Sequence, residues 1–406
     1  MPDLLNRGNS RGAMLLFYLG HPAHFHLFRN TINELSVSGN NCMVLVKRKD
    51  VLMDLVAREG WDYLQVANER KGNGRLASGW SLLRRDLDLW RFAKRERPRL
   101  MIGTSAEIGH VGRMLGIPSI VVNEDDAEAV PLFTKLAYPF ADHIVVPECC
   151  SLDKWKEKAV RYNGFHELAY LHPDRFTPTW RVMLDLAGAS GRYFILRFAE
   201  LSAHHDTGKT GIGDVLARRL VNFLAPNGTV YVTSERPMSS ELERFRFPLS
   251  PDRMHDALAF ADLYIGDSQT MAAEAAVLGT PSIRFNDFVG RLGYLEELEH
   301  KYGLTYGIKT SAPEALFAKI DELLAMPDLR QEWQRRRKRM LADKIDVTAL
   351  LVWFIENYPE SAKTSKLTMV HRISSERMLQ SRVTLVEDRA ARGIATRTIG
   401  NRSDSL

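Results

Sequence analysis

The sequence predicts an α/β protein built from two doubly wound parallel sheets. Short apolar runs rich in Val, Ile and Leu alternate with segments of helical periodicity, and this alternation implies right-handed crossovers between parallel strands. A stretch over residues 161–192, containing Pro173 and Pro178, lacks clear periodicity and divides the pattern into two halves. At 406 residues the chain is long enough for two substantial cores.

Each half is predicted to contain its own strands and helices. Buried parallel strands are expected at residues 14–19, 42–46, 63–66, 100–102, 119–122 and 143–146, and again at 193–197, 229–232, 263–265 and 282–285. Helices are expected at residues 28–36, 51–58, 82–95, 107–115, 130–139, 212–224, 254–261, 271–278, 313–325, 329–343 and 347–358. The predicted domains are a flexible N-terminus (1–12), an N-terminal domain (13–167), a C-terminal domain (168–360) and a disordered basic tail (361–406).

The net charge of +5 belongs to the end of the chain. Residues 361–406 contain nine Lys or Arg and four Asp or Glu, which accounts for the whole excess. Such a Ser-, Thr- and Arg-rich segment is typical of a disordered extension rather than of a nucleic-acid surface, with a membrane contact as the alternative. A second basic run, residues 335–339, is interpreted as a solvated helix face, again with an anionic membrane as the alternative.

Three cysteines, Cys42, Cys149 and Cys150, cannot form a fully paired disulfide framework. The sequence contains no signal peptide and no apolar run long enough to span a membrane. The expected compartment is therefore the cytoplasm, with peripheral contact at the inner membrane face left open.

Residues 266–287, reading GDSQTMAAEAAVLGTPSIRFND, have the features of a ligand-binding βαβ unit. Polar residues stand between a short apolar strand and an Ala-rich helix, where backbone N–H groups and hydroxyls can hold a diphosphate. These residues are Asp267, Ser268, Gln269 and Thr270. Glu274 lies one turn further along the same face, where a carboxylate can hold a ribose diol. The alternative is that Ser268 only caps the helix and Glu274 is solvated.

A second polar group follows the predicted strand at residues 193–197. Arg197 can form charge-assisted bonds to a diphosphate, and a His next to an Asp can be oriented by it, which adds His205 and Asp206 to the predicted nucleotide-sugar site. Ser234, beyond the strand at residues 229–232, is assigned to the same site. The alternative is an exposed polar loop with an ordinary histidine pair.

Further candidates follow strands of the first half. Residues 21–26, HPAHFH, have His-x-x-His-x-His spacing, but no nearby Cys or His-Glu-x-x-His pattern supports a metal, and we predict none. Glu107 and the acidic run 124–126 also lie beyond predicted strand ends. Asp125 is the candidate base or acceptor-binding carboxylate in that run, with a helix N-terminal charge cluster as the alternative.

The run GDSQTMAAEAAVLGTPSIRF, with RFAELSAHHDTG at 197–208, ELEHKYGL at 297–304 and HPAHFHLF at 21–28, resembles the DUF354 family over residues 14–358. That family is similar to the GT-B superfamily of nucleotide-sugar glycosyltransferases and UDP-N-acetylglucosamine 2-epimerases. The resemblance implies two Rossmann-like domains that face each other across a cleft. It also implies that residues 268–270 contact the diphosphate, that Glu274 contacts the ribose, and that His24 or His26 is a general base facing the acceptor. The alternative for these histidines is a structural role, with one imidazole satisfied by the backbone.

The expected activity is metal-independent transfer of a sugar from a nucleotide-diphosphate donor, most readily a UDP-sugar, to a saccharide or lipid-linked acceptor in polysaccharide biosynthesis. No cofactor and no nucleic-acid partner are expected. The epimerases carry a Gly-Asp-Thr turn, and its Asp corresponds here to Thr104 or Ser105, which argues against epimerisation. Nucleotide-sugar epimerisation or hydrolysis, and non-catalytic nucleotide-sugar binding, are the alternatives.

Overall fold

Two parallel sheets, of seven and five strands, organise the described part of the chain. The computed structural model describes residues 14–47, 50–66, 75–187, 191–199 and 211–364. The predicted flexible N-terminus and residues 365–406 of the predicted basic tail lie outside these ranges. Every strand pairing in both sheets is parallel, as predicted.

The first sheet has the order β3-β2-β1-β4-β5-β6-β7. Its strands are β1 Leu15–Leu19, β2 Cys42–Lys47, β3 Tyr63–Val66, β4 Leu100–Gly103, β5 Ser119–Val122, β6 His143–Pro147 and β7 Ala159–Tyr162. Its helices are α1 Pro22–Val37, α2 Asp50–Glu59, α3 Arg75–Glu96, α4 Ala106–Leu115 and α5 Pro131–Ala137. Strands β1, β4 and β5 are buried along their whole length, as continuous apolar runs indicate.

The second sheet has the order β12-β11-β10-β8-β9. Its strands are β8 Tyr193–Phe198, β9 Thr229–Ser234, β10 Leu263–Gly266, β11 Ser282–Phe285 and β12 Thr305–Ile308. Two short helices, α6 Leu168–Leu171 and α7 Val182–Leu186, precede it. The remaining helices are α8 Asp214–Leu224, α9 Ser240–Glu243, α10 Met254–Phe260, α11 Gln269–Leu278, α12 Gly293–Glu296, α13 Pro313–Leu324, α14 Leu329–Asp343 and α15 Val347–Glu356.

Helix α1 starts six residues earlier than its apolar pattern indicates. His21 accepts a hydrogen bond from the backbone N–H of Ala23 at the N-cap, and Pro22 occupies the first helical position, where its missing N–H costs nothing. The start is therefore set by capping chemistry, and it places His24 and His26 in the first two turns of the helix.

The segment between the sheets packs against elements of both. Asn30 on α1 donates to the carbonyl of Ala169 at 2.9 Å, and Thr348 on α15 donates to the same carbonyl at 2.7 Å. The first sheet lies within residues 15–162 and the second within residues 193–308, while the domain boundaries at 167 and 360 stay predictions. Among the helices of the described residues, none is both long and apolar enough to cross a membrane.

Candidate functional site

The turn between β10 and α11 is shorter than predicted, because the helix begins at Gln269 rather than at Met271. The Ser268 hydroxyl accepts from the backbone N–H of Met271 at 3.4 Å, so Ser268 is the N-cap of α11. Gln269 and Thr270 form the half-buried first turn. Gly279 ends the helix at φ 79°, a conformation that favours glycine. Ser268 therefore caps the helix, as the alternative stated. Its contact with a diphosphate stays a prediction.

Asp267 holds the two ends of the loop that follows β8. It is buried, and its carboxylate accepts from the backbone N–H of Ala199 at 2.6 Å and from that of Ile212 at 3.0 Å. Burial raises its pKa, although these two donors oppose the shift. Both carboxylate oxygens of Asp267 accept from backbone N–H groups. This geometry supports a positioning role for Asp267, which we predicted to contact the ligand.

Glu274 lies where α6, α10 and α11 meet. It is 5% exposed, which excludes the solvated alternative. Its Oε1 accepts from the Tyr170 hydroxyl at 2.8 Å and lies 3.1 Å from His255 Nε2. Burial would raise its pKa, but His255 and the Tyr170 hydrogen bond outweigh that effect and lower it. A ribose diol would therefore have to share or replace the Tyr170 contact.

His26 joins the same junction from the first sheet's side. Its ring centroid lies 5.0 Å from that of His255 and 5.3 Å from that of Tyr170. Burial and the neighbouring His255 lower the pKa of His26 to about 4. A group with so low a pKa is a weak base at neutral pH, so its predicted role as general base gains no support from this environment.

His24 contacts a loop of a neighbouring strand instead. Its Nδ1 accepts from the backbone N–H of Gly20 at 3.1 Å, and the Thr104 hydroxyl lies 2.6 Å from the same nitrogen. The turns after β1 and β4 therefore meet at this imidazole. This is the backbone-bonded role that we kept as the alternative to catalysis.

Three residues that we call the acid cluster, Glu124, His166 and Glu167, lie beyond the carboxyl end of β5. Glu124 Oε2 is 3.4 Å from His166 Nδ1, and the Glu124 side chain is 16% exposed. Glu167 is 1% exposed, and both its carboxylate oxygens are buried without a hydrogen-bond partner among the described residues. The same holds for His166 Nε2 and for the hydroxyl of nearby Tyr162. Buried polar groups are usually satisfied, so such a concentration indicates a site that a ligand or water completes.

The charges of the acid cluster are suppressed. Burial raises the pKa of Glu124 well above its usual value, and the adjacent Asp125 adds to the shift. Burial, and after it the neighbouring Glu124, likewise raise the pKa of Glu167 well above its usual value. Burial lowers the pKa of His166 to about 3. Protonated carboxyl groups beside a neutral imidazole can donate hydrogen bonds to a ligand oxygen.

The acidic run after β5 also binds the second sheet's elements. Asp126 accepts from the backbone N–H of Ser151 at 2.7 Å and from that of Gly293, at the start of α12, at 2.6 Å. Asp125 is half-buried, and its backbone carbonyl accepts from the Asn123 side chain at 2.9 Å. The carboxyl groups of residues 124–126 are therefore divided between the acid cluster and a bridge across the two sheets.

Arg197 and Ser234 lie together at the carboxyl ends of β8 and β9. Arg197 donates to the Thr233 hydroxyl at 2.8 Å and forms an ion pair with Glu235. Its Nε is buried with no hydrogen bond to the described residues. Ser234 is bonded to the backbone of Arg236 in a local turn. His205 and Asp206 lie outside the described residues.

The described residues hold a pocket of about 510 Å³ beside this edge of the second sheet. Its lining includes Gly211, Asp214, Phe285 and Thr310. It adjoins Ile212, which is bonded to Asp267, and not the junction at Glu274. The acid cluster is the stronger candidate for a functional site, because its buried polar groups lack partners among the described residues, whereas the lining of the pocket includes one acid and one arginine.

The residues brought together differ in part from those predicted. Glu274 was predicted, whereas Tyr170, His255, His166 and Glu167 were not. Of these, His166 and Glu167 stand next to each other in a segment without periodicity, and adjacent acid and imidazole groups there are the signal that could have identified them. Among the described residues, His172, Asp174 and Asp346 form a group of His and acid side chains, and Arg175 neutralises Asp346 at 2.8 Å.

Residues 16–175 match the model of the family described as "Protein of unknown function (DUF354)". None of the curated proteins matches the chain. The fold is similar to that of the Staphylococcus aureus MnaA-UDP co-structure, at TM-score 0.62 and 12% identity over 87% of this chain and 99% of that one. It is also similar to a putative UDP-N-acetylglucosamine 2-epimerase from Listeria monocytogenes, at TM-score 0.60 and 12% identity over 87% and 98%.

A third similar structure is the spinosyn rhamnosyltransferase SpnG complexed with thymidine diphosphate, at TM-score 0.59 and 14% identity over 85% of this chain and 100% of that one. Identities this low show the fold alone. The predicted GT-B-like α/β fold is therefore confirmed, and the predicted resemblance to the DUF354 family is confirmed over residues 16–175.

Proposed function

We propose that the protein is a GT-B-type glycosyltransferase that moves a sugar from a nucleoside-diphosphate donor to a saccharide or lipid-linked acceptor. The observation that carries this proposal is the convergence of Glu124, Glu167 and Glu274 around Tyr170, whose pKa all three raise, after the larger effect of burial. These carboxyl groups come from different segments and meet next to the N-terminal half of α11. Similar folds whose structures hold UDP or thymidine diphosphate support a nucleotide ligand.

The second sheet supplies the groups suited to a diphosphate. The N-terminus of α11 carries partial positive charge and N–H donors, and Ser268, Gln269 and Thr270 stand there. Arg197, at the end of the neighbouring strand β8, adds a guanidinium group, although Glu235 already pairs with it. Together they would stabilise the leaving diphosphate as the bond between its oxygen and the anomeric carbon breaks.

The first sheet supplies the groups suited to the acceptor. We assign Asp125 as the base that takes the proton of the acceptor hydroxyl while that oxygen bonds to the anomeric carbon. The neighbouring Glu124 is held protonated, so it would donate a hydrogen bond to a sugar oxygen. Glu167 would do the same from the other side of the acid cluster.

A nucleotide-sugar epimerase is the second candidate. Two carboxyl groups in one buried cluster could remove and return a proton, and two of the similar structures are an epimerase and MnaA with UDP. An epimerase would convert donor without any acceptor. A transferase would consume donor only when an acceptor is added.

Thermal shift with UDP, thymidine diphosphate and their sugars tests the nucleotide assignment, because a ligand that binds the native state must raise its melting temperature. Asp125→Asn should retain this shift but lose transfer by about a hundredfold or more, the usual contribution of acid-base chemistry. The matched control is Glu128→Gln, an exposed acid three residues away, which should keep full activity. Absence of a shift with every nucleotide, or full activity of Asp125→Asn, would contradict the proposal.

A further inference from the structure

Three of the five basic side chains of residues 335–339 on α14 donate to backbone carbonyls within the protein. Arg336 donates to the carbonyl of Gly303 at 2.6 Å, Arg337 to that of Val277 at 2.8 Å, and Arg339 to that of Lys301 at 2.6 Å. These guanidinium groups satisfy carbonyls at the ends of other elements. The run is therefore a poor candidate for the membrane contact that its charge suggests.

Helix α3 has a different surface. Large apolar side chains are exposed between residues 80 and 87, with Trp80 72%, Leu83 49% and Leu87 44% exposed. Basic side chains are exposed further along the helix, at Arg91, Lys94 and Arg95, of which Arg91 also pairs with Asp88 and Arg95 with Glu96. At 100° per residue all six lie within one stripe about 120° wide, which runs about 22 Å from Trp80 to Arg95.

The opposite side of α3 accounts for its place in the fold. Leu89 and Ala93 are fully buried, and Arg85 is bonded to the buried Glu107. The exposed apolar stripe is thus additional to the residues that fix the helix. Apolar side chains of this size are unusual on a solvated face when they recur at helical spacing.

The two neighbouring helices also expose an apolar side chain close to a basic one. Helix α4 packs against α3 and exposes Met114, 67%, beside Arg113. Helix α5 packs against α4 and exposes Leu132, 55%, near Lys135. No other element of the described ranges is placed over the α3 stripe.

We propose that this surface of α3, α4 and α5 docks on an anionic lipid bilayer. Trp and Leu side chains enter the headgroup region, while the basic side chains pair with lipid phosphates. Charge favours lipid over a protein partner, because the apolar residues are accompanied on every helix by exposed positive charge. Docking would hold the first sheet's acidic loops near the membrane surface, independently of which reaction they perform.

Vesicle sedimentation of the full chain tests the proposal. The protein should sediment with phosphatidylcholine vesicles that contain phosphatidylglycerol, less so at high salt, and not with phosphatidylcholine alone. Trp80→Ser/Leu83→Ser/Leu87→Ser should lower the partition coefficient at least about tenfold. Its matched control is Trp180→Ser/Leu184→Ser, which removes side chains that are 58% and 73% exposed elsewhere.

A charge variant separates the electrostatic contribution to vesicle binding from the apolar one. Arg91→Glu/Lys94→Glu/Arg95→Glu should also lose at least about tenfold in binding, whereas Arg335→Glu on α14, itself 75% exposed, should bind normally. Unchanged binding of either α3 variant would overturn the proposal and assign any lipid affinity to another part of the chain, such as residues 365–406. A wild-type dimer that the serine variant converts to monomer without vesicles would overturn it in favour of a second copy.

Discussion

Glu107 and Glu124 follow neighbouring strands of the same sheet, yet their surroundings are opposite. Glu107 is 2% exposed and lies 2.5 Å from Arg85 Nε and 4.0 Å from Lys47 Nζ, and Tyr18 donates to it at 3.4 Å. Burial would raise its pKa, but Lys47 and Arg85 outweigh burial and lower it. Glu124 has another buried acid, Glu167, as its neighbour instead of a cation.

This difference separates a structural acid from one that the proposed function uses. The Glu107 carboxylate is fully compensated, so it holds α3, α4 and β1 together and offers little to a ligand. The acid cluster keeps hydrogen-bonding capacity unused in the described structure, at a cost to stability. Four measurements on variants of these residues test whether the two acids differ in this way.

Arg85→Met should lower the free energy of unfolding by about 3–5 kcal/mol, because it leaves Glu107 buried without its principal partner. Urea denaturation measures the change. Arg84→Met, at the adjacent exposed position, is the control and should change stability by less than about 0.5 kcal/mol. The double variant Arg85→Met/Glu107→Gln should recover part of the loss. Equal stability of the two single variants would show that the pair is not needed.

His26 should make the protein sensitive to mild acid. Its pKa is 6.5 when unfolded and about 4 when folded, so the unfolded state binds the proton more readily as the pH falls below 6.5. The free energy of unfolding should therefore fall by up to about 3 kcal/mol between pH 6.5 and 4. His26→Gln should flatten this part of the stability curve. A curve identical to that of the wild type would contradict the buried, neutral state.

The two carboxyl groups of the acid cluster, Glu124 and Glu167, should have the opposite pH dependence to that of His26. Folding raises the pKa values of Glu124 and Glu167 above the unfolded value of 4.5. Above pH 4.5 the folded state therefore binds more protons than the unfolded state, and stability is lost as the pH rises towards the folded pKa values. Glu167→Gln should remove part of this loss and raise stability at neutral pH by about 1–2 kcal/mol. Glu107→Gln should remove no such loss, because the Glu107 pKa is lowered. A destabilised Glu167→Gln would argue for a structural ion pair.

Tyr170→Phe tests the role of Glu274. This acid is intermediate between Glu107, which is paired with cations, and the acid cluster, because its partners are a hydroxyl and an imidazole. Removing the hydroxyl should cost about 1–2 kcal/mol, as expected for a hydrogen bond to a charged group. If Glu274 binds a ribose, nucleotide affinity should hold or rise as stability falls. Tyr231→Phe is a matched control, since Tyr231 donates to the carbonyl of Leu186 at 3.0 Å away from the junction. A fall in affinity would show that Tyr170 helps to hold the ligand.

Most of the fold could be predicted because buried parallel strands give continuous apolar runs. Strands β7 and β12 were missed since they are sheet edges: only Val160 and Tyr162 are buried in β7, and only Thr305 in β12. The caps of α11 depend on local residue types and were predicted well. The acid cluster forms only because the aperiodic segment that carries His166 and Glu167 packs against Glu124. Local sequence patterns do not predict such tertiary packing.

Gly293 sets how closely the two sheets' loops approach. Its N–H donates to Asp126, and a Cβ at this position would collide with the backbone carbonyl of Cys149. A single methyl group there would act as a wedge between α12 and the acidic run. Gly293→Ala would thus widen the gap between α12 and the acidic run while leaving every polar group there chemically intact.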